Sequence, residues 1–182
     1  MKIVIIGGVA GGMSAAARLR RLDEKSDIVV IEKSGYVSFA NCGLPYYIGG
    51  VIEEKENLLL ETPYTLKEKF NLDVRVKSEA VSINREKKEI KIKNIETNDE
   101  YTESYDKLLI STGAKPFVPD IKGLKEAGYL TLRNIEDMEK ISSYINSDIY
   151  RNAVIIGGGF IGLETAENLK HKNINVTIIE KA

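Results

Sequence analysis

Residues 4–12 read VIIGGVAGG, and residues 154–162 read VIIGGGFIG. Positions 4, 5, 6, 7, 8 and 12 carry the same residues as positions 154, 155, 156, 157, 158 and 162, so the second stretch repeats the first. Each copy opens on a β-branched run and passes through glycines into a helical stretch, MSAAARLRRL in the first and LETAENLKHK in the second. Each then reaches another apolar strand that ends in Glu-Lys, DIVVIEK and NVTIIEK. Strand, helix and strand in that order make a βαβ unit, whose crossover puts its two strands parallel. Two copies this far apart predict two nucleotide-binding domains and not a solenoid.

The glycines carry the chemistry. Gly7-Gly8-Val9-Ala10-Gly11-Gly12 follows a strand and opens a helix, the context a dinucleotide-binding loop requires. Gly7 permits the tight turn and Gly12 the close packing of helix on strand. The helix N-terminus offers free N–H groups and a positive dipole end to a pyrophosphate. Val9 stands where the usual pattern has its middle glycine; it narrows the backbone approach but leaves its amide available. Glu32, with Lys33 beside it, ends the second strand, where a carboxylate can bind a ribose hydroxyl pair. The second loop is complete: Gly157-Gly158-Gly159-Phe160-Ile161-Gly162, followed by Glu180. Two such sites in one polypeptide predict a flavin and a nicotinamide exchanging hydride. Glu180 favours NADH, because a carboxylate repels a 2′-phosphate; Lys181 next to it keeps NADPH as the alternative.

Between the copies the pattern changes. Residues 35–50, GYVSFANCGLPYYIGG, predict a short helix between loops. Residues 62–70 predict a helix with Thr62 as N-cap and Pro63 in its first turn. DVRV, AVSIN, EIKIK and YTESY alternate in the manner of an antiparallel meander packed beside the parallel sheet, with a solvated charged hairpin at 85–93. KLLIS at 107–111 reads as a buried parallel strand, 112–123 as a crossover loop, and 134–145 as a helix. The boundary falls near 113–123, giving a first domain over 1–115 and a second over 116–182.

Composition excludes several classes. Lys+Arg of 26 against Asp+Glu of 27 leaves a net charge of −1, which offers nothing to a phosphate backbone. No apolar run approaches the roughly 20 residues that span a bilayer. MKIVIIGG lacks the features of a signal peptide. Cys42 is the only cysteine, so no internal disulfide forms, in keeping with a reducing cytoplasmic setting.

Cys42 lies in Ser38-Phe39-Ala40-Asn41-Cys42-Gly43-Leu44-Pro45. Pro45 suits a first helical turn that Ser38 or Asn41 caps, and a helix N-terminus favours the nucleophilic thiolate. A lone cysteine is more often a small buried hydrophobe. Its place directly after the first βαβ unit, in a polar glycine-rich segment, favours the reactive reading. On the first helix Ser14, Arg18 and Arg21 share one face, and Ala15, Leu19 and Leu22 form a stripe for packing on the sheet. The only histidine, His171, reads as a surface residue.

With these residues in view, the chain resembles the pyridine-nucleotide disulfide oxidoreductases. Within that superfamily it is similar to the single-cysteine branch of coenzyme A disulfide reductases, NADH oxidases and NADH peroxidases. SFANCGLPYYIGG most resembles the coenzyme A disulfide reductases. YDKLLISTGAKP resembles the second flavin-contacting segment, which implies Thr112 and Gly113 near FAD; TLRN at 131–134 implies Arg133 near it too. Tyr47 stands where two-cysteine relatives carry their second thiol, and Ala10 where peroxidases carry a histidine, which argues against peroxide chemistry. The resemblance implies an FAD-dependent enzyme in which Cys42 is catalytic and Glu164 lies close to the nicotinamide. It further implies that Ser14, Arg18, Arg21, Ser38 and Asn41 line the channel for a small-molecule disulfide, coenzyme A disulfide first. NADH oxidase and polysulfide or persulfide reductase are the alternatives within the family. A third alternative is a folded but catalytically silent piece, because the strands stop after Glu180, where a further crossover is due. The implied architecture is α/β. It comprises an incomplete Rossmann-like FAD-binding domain with an antiparallel meander insertion, then the first βαβ of a Rossmann-like NAD(P)-binding domain. The intact parent is expected to be a homodimer.

Overall fold

A computed structural model describes residues 1–147 and 149–181. In chain order its elements are β1 (Lys2–Ile6), α1 (Ala10–Leu22), β2 (Asp27–Ile31), α2 (Leu44–Gly49), α3 (Pro63–Phe70), β3 (Asp73–Arg75), β4 (Ser78–Asn84), β5 (Glu89–Asn94), β6 (Glu100–Ser104), β7 (Lys107–Ile110), α4 (Leu124–Ala127), α5 (Ile135–Asn146), β8 (Asn152–Ile156), α6 (Phe160–His171) and β9 (Asn175–Ile179). They fall into two compact units, residues 1–39 with 59–114 and residues 40–58 with 115–182. By its contacts the segment 40–58 groups with the second unit.

In the first unit a parallel sheet runs in the order β3-β2-β1-β7. Alternate residues of a strand point to opposite faces. Ile3, Ile5, Ile28 and Val30 meet Met13 and Ala16 of α1 and Leu66 of α3 on one face. Val4, Ile6, Val29 and Ile31 meet Ile90 and Ile92 of β5 on the other. Burial on both faces is why β1 and β2 read as unbroken apolar runs. The antiparallel sheet β4-β5-β6 therefore covers one face of the parallel sheet.

Several expectations are corrected. DVRV is not part of the meander: Asp73–Arg75 pairs in parallel with β2. KLLIS is an edge strand and not a buried one; Ile110 is 59% exposed, because β7 has β1 on one side only. The packing stripe of α1 is Met13, Ala16 and Arg20, with Leu19 partly buried, and Leu22 lies in solvent at 66% exposure. The helix at 62–70 forms as expected: Thr62 accepts from the Thr65 amide and Thr65 Oγ1 from the Thr62 amide.

Arg20, which the sequence reading passed over, is 9% exposed. Its guanidinium donates to the carbonyls of Phe70, Asp23, Glu24 and Asn71, tying the end of α1 to the end of α3.

In the second unit β8 and β9 form a parallel pair. The short helix α2 packs against α5 and α6. Ile135 and Met138 of α5, with Leu44 and Ile48 of α2, are buried.

Candidate active site

Glycine loops, a thiol and a polar corner make up the site residues. In the first loop Gly7 turns at φ +106°. A Cβ there would overlap the Ser111 carbonyl, and a Cβ on Gly12 would overlap the Gly7 carbonyl. Val9 is the N-cap of α1 at φ −109°, a negative value that does not require glycine. No side chain caps α1, which leaves its first-turn N–H groups directed at whatever binds the loop. Glu32 accepts from the Gly8 amide at 2.7 Å and from the Ser34 amide at 2.8 Å. Each carboxylate oxygen retains a lone pair for a ribose hydroxyl. Lys33 pairs with Glu79 at 2.8 Å. Thr112 and Gly113 come just after β7 and Ser111, and the Thr112 amide lies 3.3 Å from the Cβ position of Gly7, so the structure brings Thr112 to the loop. A turn held tight by Gly7 and Gly12, an uncapped helix and a clamped carboxylate fit the pyrophosphate and ribose of a dinucleotide such as FAD.

The second loop repeats this geometry. Gly157 turns at φ +111° and its amide donates to the Ile179 carbonyl at 2.8 Å, as the Gly7 amide donates to Ile31 at 2.9 Å. The Gly158 amide donates to Glu180, as Gly8 does to Glu32. Gly159 is the N-cap of α6, again with no side-chain cap. Space within 4 Å of the Cβ positions of Gly157 and Gly159 is open, and Phe160 and Ile161 are exposed. A Cβ on Gly162 would overlap the Gly157 carbonyl. Glu164 is half-buried in the second turn of α6. These residues fit a nicotinamide dinucleotide.

Cys42 is an exposed free thiol in a single 3₁₀ turn, Asn41–Gly43, that leads into α2. The expected cap is absent: the N-cap of α2 is Gly43, with no side-chain hydrogen bond, and Pro45 lies in the first turn. Ser38 instead adopts φ +47° and its amide donates to the Gly8 carbonyl at 2.9 Å. Asn41 Nδ2 donates to the Arg133 carbonyl at 3.5 Å. Asp137 holds that corner by accepting from the Arg133 amide and the Thr131 hydroxyl, both at 2.9 Å. The sequence reading missed Asp137; its spacing from the N-cap Asn134 was the available signal. Ser14, Arg18 and Arg21 lie on the exposed face of α1. Among the described residues no cluster of His, Cys, Asp and Glu could hold a metal ion, and no helix is long and apolar enough to cross a membrane. His171 is exposed at the end of α6.

The family model for pyridine nucleotide-disulphide oxidoreductases matches residues 1–182. The chain belongs to that family. The coenzyme A disulfide reductase of Staphylococcus epidermidis is 40% identical over 181 residues, which is 100% of this chain and 41% of that protein. Reduced CoADR-RHD of Bacillus anthracis superposes with a TM-score of 0.97 at 55% identity, over 100% of this chain and 33% of that one. An NAD-dependent persulfide reductase from A. fulgidus gives 0.91 at 42% identity, over 98% and 33%. The chain therefore spans about two fifths of the curated relatives it matches. These relatives are named as enzymes, and flavin and pyridine nucleotide are the cofactors their family implies.

Proposed function

We propose that the protein is the N-terminal part of an NADH-dependent flavoprotein that reduces coenzyme A disulfide through Cys42. The observation that carries this reading is an exposed lone thiol just before a helix, in a chain with two glycine loops that each open a helix without a side-chain cap. Gly7, Gly8, Val9, Ala10, Gly11, Gly12, Glu32, Thr112 and Gly113 would hold FAD, with Arg133 completing the set and Lys33 at its margin. Gly157 to Gly162, Glu164 and Glu180 would hold NADH. Bound flavin supplies a two-electron relay between nicotinamide and disulfide. The Cys42 thiolate attacks one sulfur of the disulfide, a Cys42–coenzyme A disulfide forms, and one coenzyme A thiolate leaves. Two electrons originating in NADH then break the mixed disulfide, returning Cys42 as thiolate and releasing the second thiol. The sum is NADH, one proton and coenzyme A disulfide giving NAD⁺ and two thiols. Arg18 and Arg21 would bind substrate phosphates, with Ser14, Ser38 and Asn41 lining the approach. In the intact protein the setting is cytoplasmic and the assembly a homodimer.

The similarity to a persulfide reductase favours a second reading, in which the same thiol takes a persulfide. The assay that separates them supplies NADH with either substrate and counts thiol and sulfide released. Two thiols per NADH from coenzyme A disulfide, lost in Cys42→Ser, is the expected result. Turnover that survives Cys42→Ser overturns the reading. Sulfide from a persulfide without reduction of coenzyme A disulfide selects the second one.

A further inference from the structure

Asn168 is 2% exposed on α6, and its Oδ1 accepts no hydrogen bond. Its Nδ2 donates to the Glu164 carbonyl one turn back at 2.8 Å, which fixes which end of the amide faces which way. The oxygen faces Gly49, the last residue of α2. A Cβ on Gly49 would overlap Oδ1 and would lie 2.8 Å from both Cβ and Cγ of Asn168. The hydrogen that takes that place points at the oxygen, making a Cα–H···O contact. Rotation of the amide cannot clear a Cβ, because Asn168 Cβ itself is in the way. A buried carbonyl oxygen without an N–H or O–H donor costs stability that an apolar side chain would not. Its place here is at the junction of two helices: α6, which starts at the second glycine loop, and α2, which starts two residues after Cys42.

The geometry points to Asn168 as a positioning residue for Cys42: its buried amide seats α2 on α6 in one register through Gly49, and so sets where the thiol is presented. This rests on Cys42 being the redox thiol. Asn168 bonds the Glu164 carbonyl and meets Gly49, so it acts through α2.

Cys42 is the only cysteine, so a trifluoromethyl thiol reagent labels one site and gives a fluorine resonance that reports its surroundings without turnover. Gly49→Ala is expected to move or split that resonance and to slow labelling roughly tenfold, since displacements of about 1 Å change reactivity strongly. Adding Asn168→Gly to Gly49→Ala removes the Cβ, Cγ and Oδ1 that the new methyl would meet and should return the resonance toward its original position. Asn168→Leu, close in volume but without the amide, should also shift it and keeps the test readable if Gly49→Ala does not fold. A merely stabilising contact would lower the melting temperature and leave the native resonance in place. Unchanged resonance and labelling rate in the variants that fold, or no return in the double variant, overturns the positioning role. Failure of the unaltered protein to reduce coenzyme A disulfide would overturn the function instead and leave this result standing.

Discussion

Glu103 shows how a single side chain ties the two sheets of the first unit together. It is 8% exposed and forms ion pairs with Lys2 of β1 and Arg75 of β3. Burial pushes its carboxyl up, but the bonds from Lys2 and Arg75 outweigh burial and hold it below its ordinary 4.5. A carboxyl lowered in the folded state contributes stability above its unfolded value and loses it as pH falls through the folded one. Glu103→Gln should therefore be less stable than the unaltered chain at neutral pH. The difference should shrink once the pH drops below 4.5. Urea denaturation at several pH values checks this, and a gap independent of pH would be the wrong outcome. Among site residues, the tight turns of the glycine loops were legible from their types and order. The cap of Cys42 was not. Ser38 has a good capping side chain, but its backbone is turned to φ +47°, where its amide serves the Gly8 carbonyl. No local rule reveals a bond to a loop thirty residues earlier.

At the scale of elements, the two βαβ units repeat to the level of individual hydrogen bonds, and their glycines are the points of no tolerance. Gly7→Ala places a methyl into the Ser111 carbonyl at a positive φ, so the β1–α1 turn must open. Loss of flavin binding with a cost of several kcal/mol is expected, in line with strained, overpacked positions. Retention of flavin and stability by that variant would contradict the geometry. Arg20 is the element-level feature that reading by residue type obscures. RLRR offers three arginines, and charge alone does not say which one turns inward. Helical period does: Met13, Ala16 and Arg20 fall on one face. Arg20→Met should lower stability by about 2–4 kcal/mol, because four carbonyls lose a charged donor. Calorimetry on Arg20→Met and Arg18→Met would distinguish them, the exposed Arg18 costing little. The edge character of KLLIS was likewise hidden, since an apolar run reads the same whether one neighbour or two will pair with it.

For the whole molecule, the two units differ in how well their sheets are covered. The parallel sheet of the first has α1 and α3 on one face and the β4-β5-β6 sheet on the other. The β8–β9 pair of the second exposes Val154 at 61%, with Ile156 and Ile179 about half exposed. The chain alone should bind a hydrophobic dye such as ANS while still melting cooperatively, and substitution of Val154 and Ile156 by threonine should reduce that binding. Dye binding unaffected by those changes would place the exposed surface elsewhere. The fold class and the shared geometry of both glycine turns followed from a nonapeptide repeated at six of its nine positions, because glycine geometry is local. The meeting of Gly49 with Asn168 was not legible, since it joins residues more than a hundred positions apart.

On the proposed function, Cys42 exchanges with coenzyme A disulfide. Intact-mass analysis of the chain after incubation with that disulfide tests it without cofactors or turnover. One coenzyme A per chain, attached at Cys42, released by a reductant and matched by one free thiol in solution, is the predicted result. An unmodified chain, or the same adduct on Cys42→Ser, would contradict it.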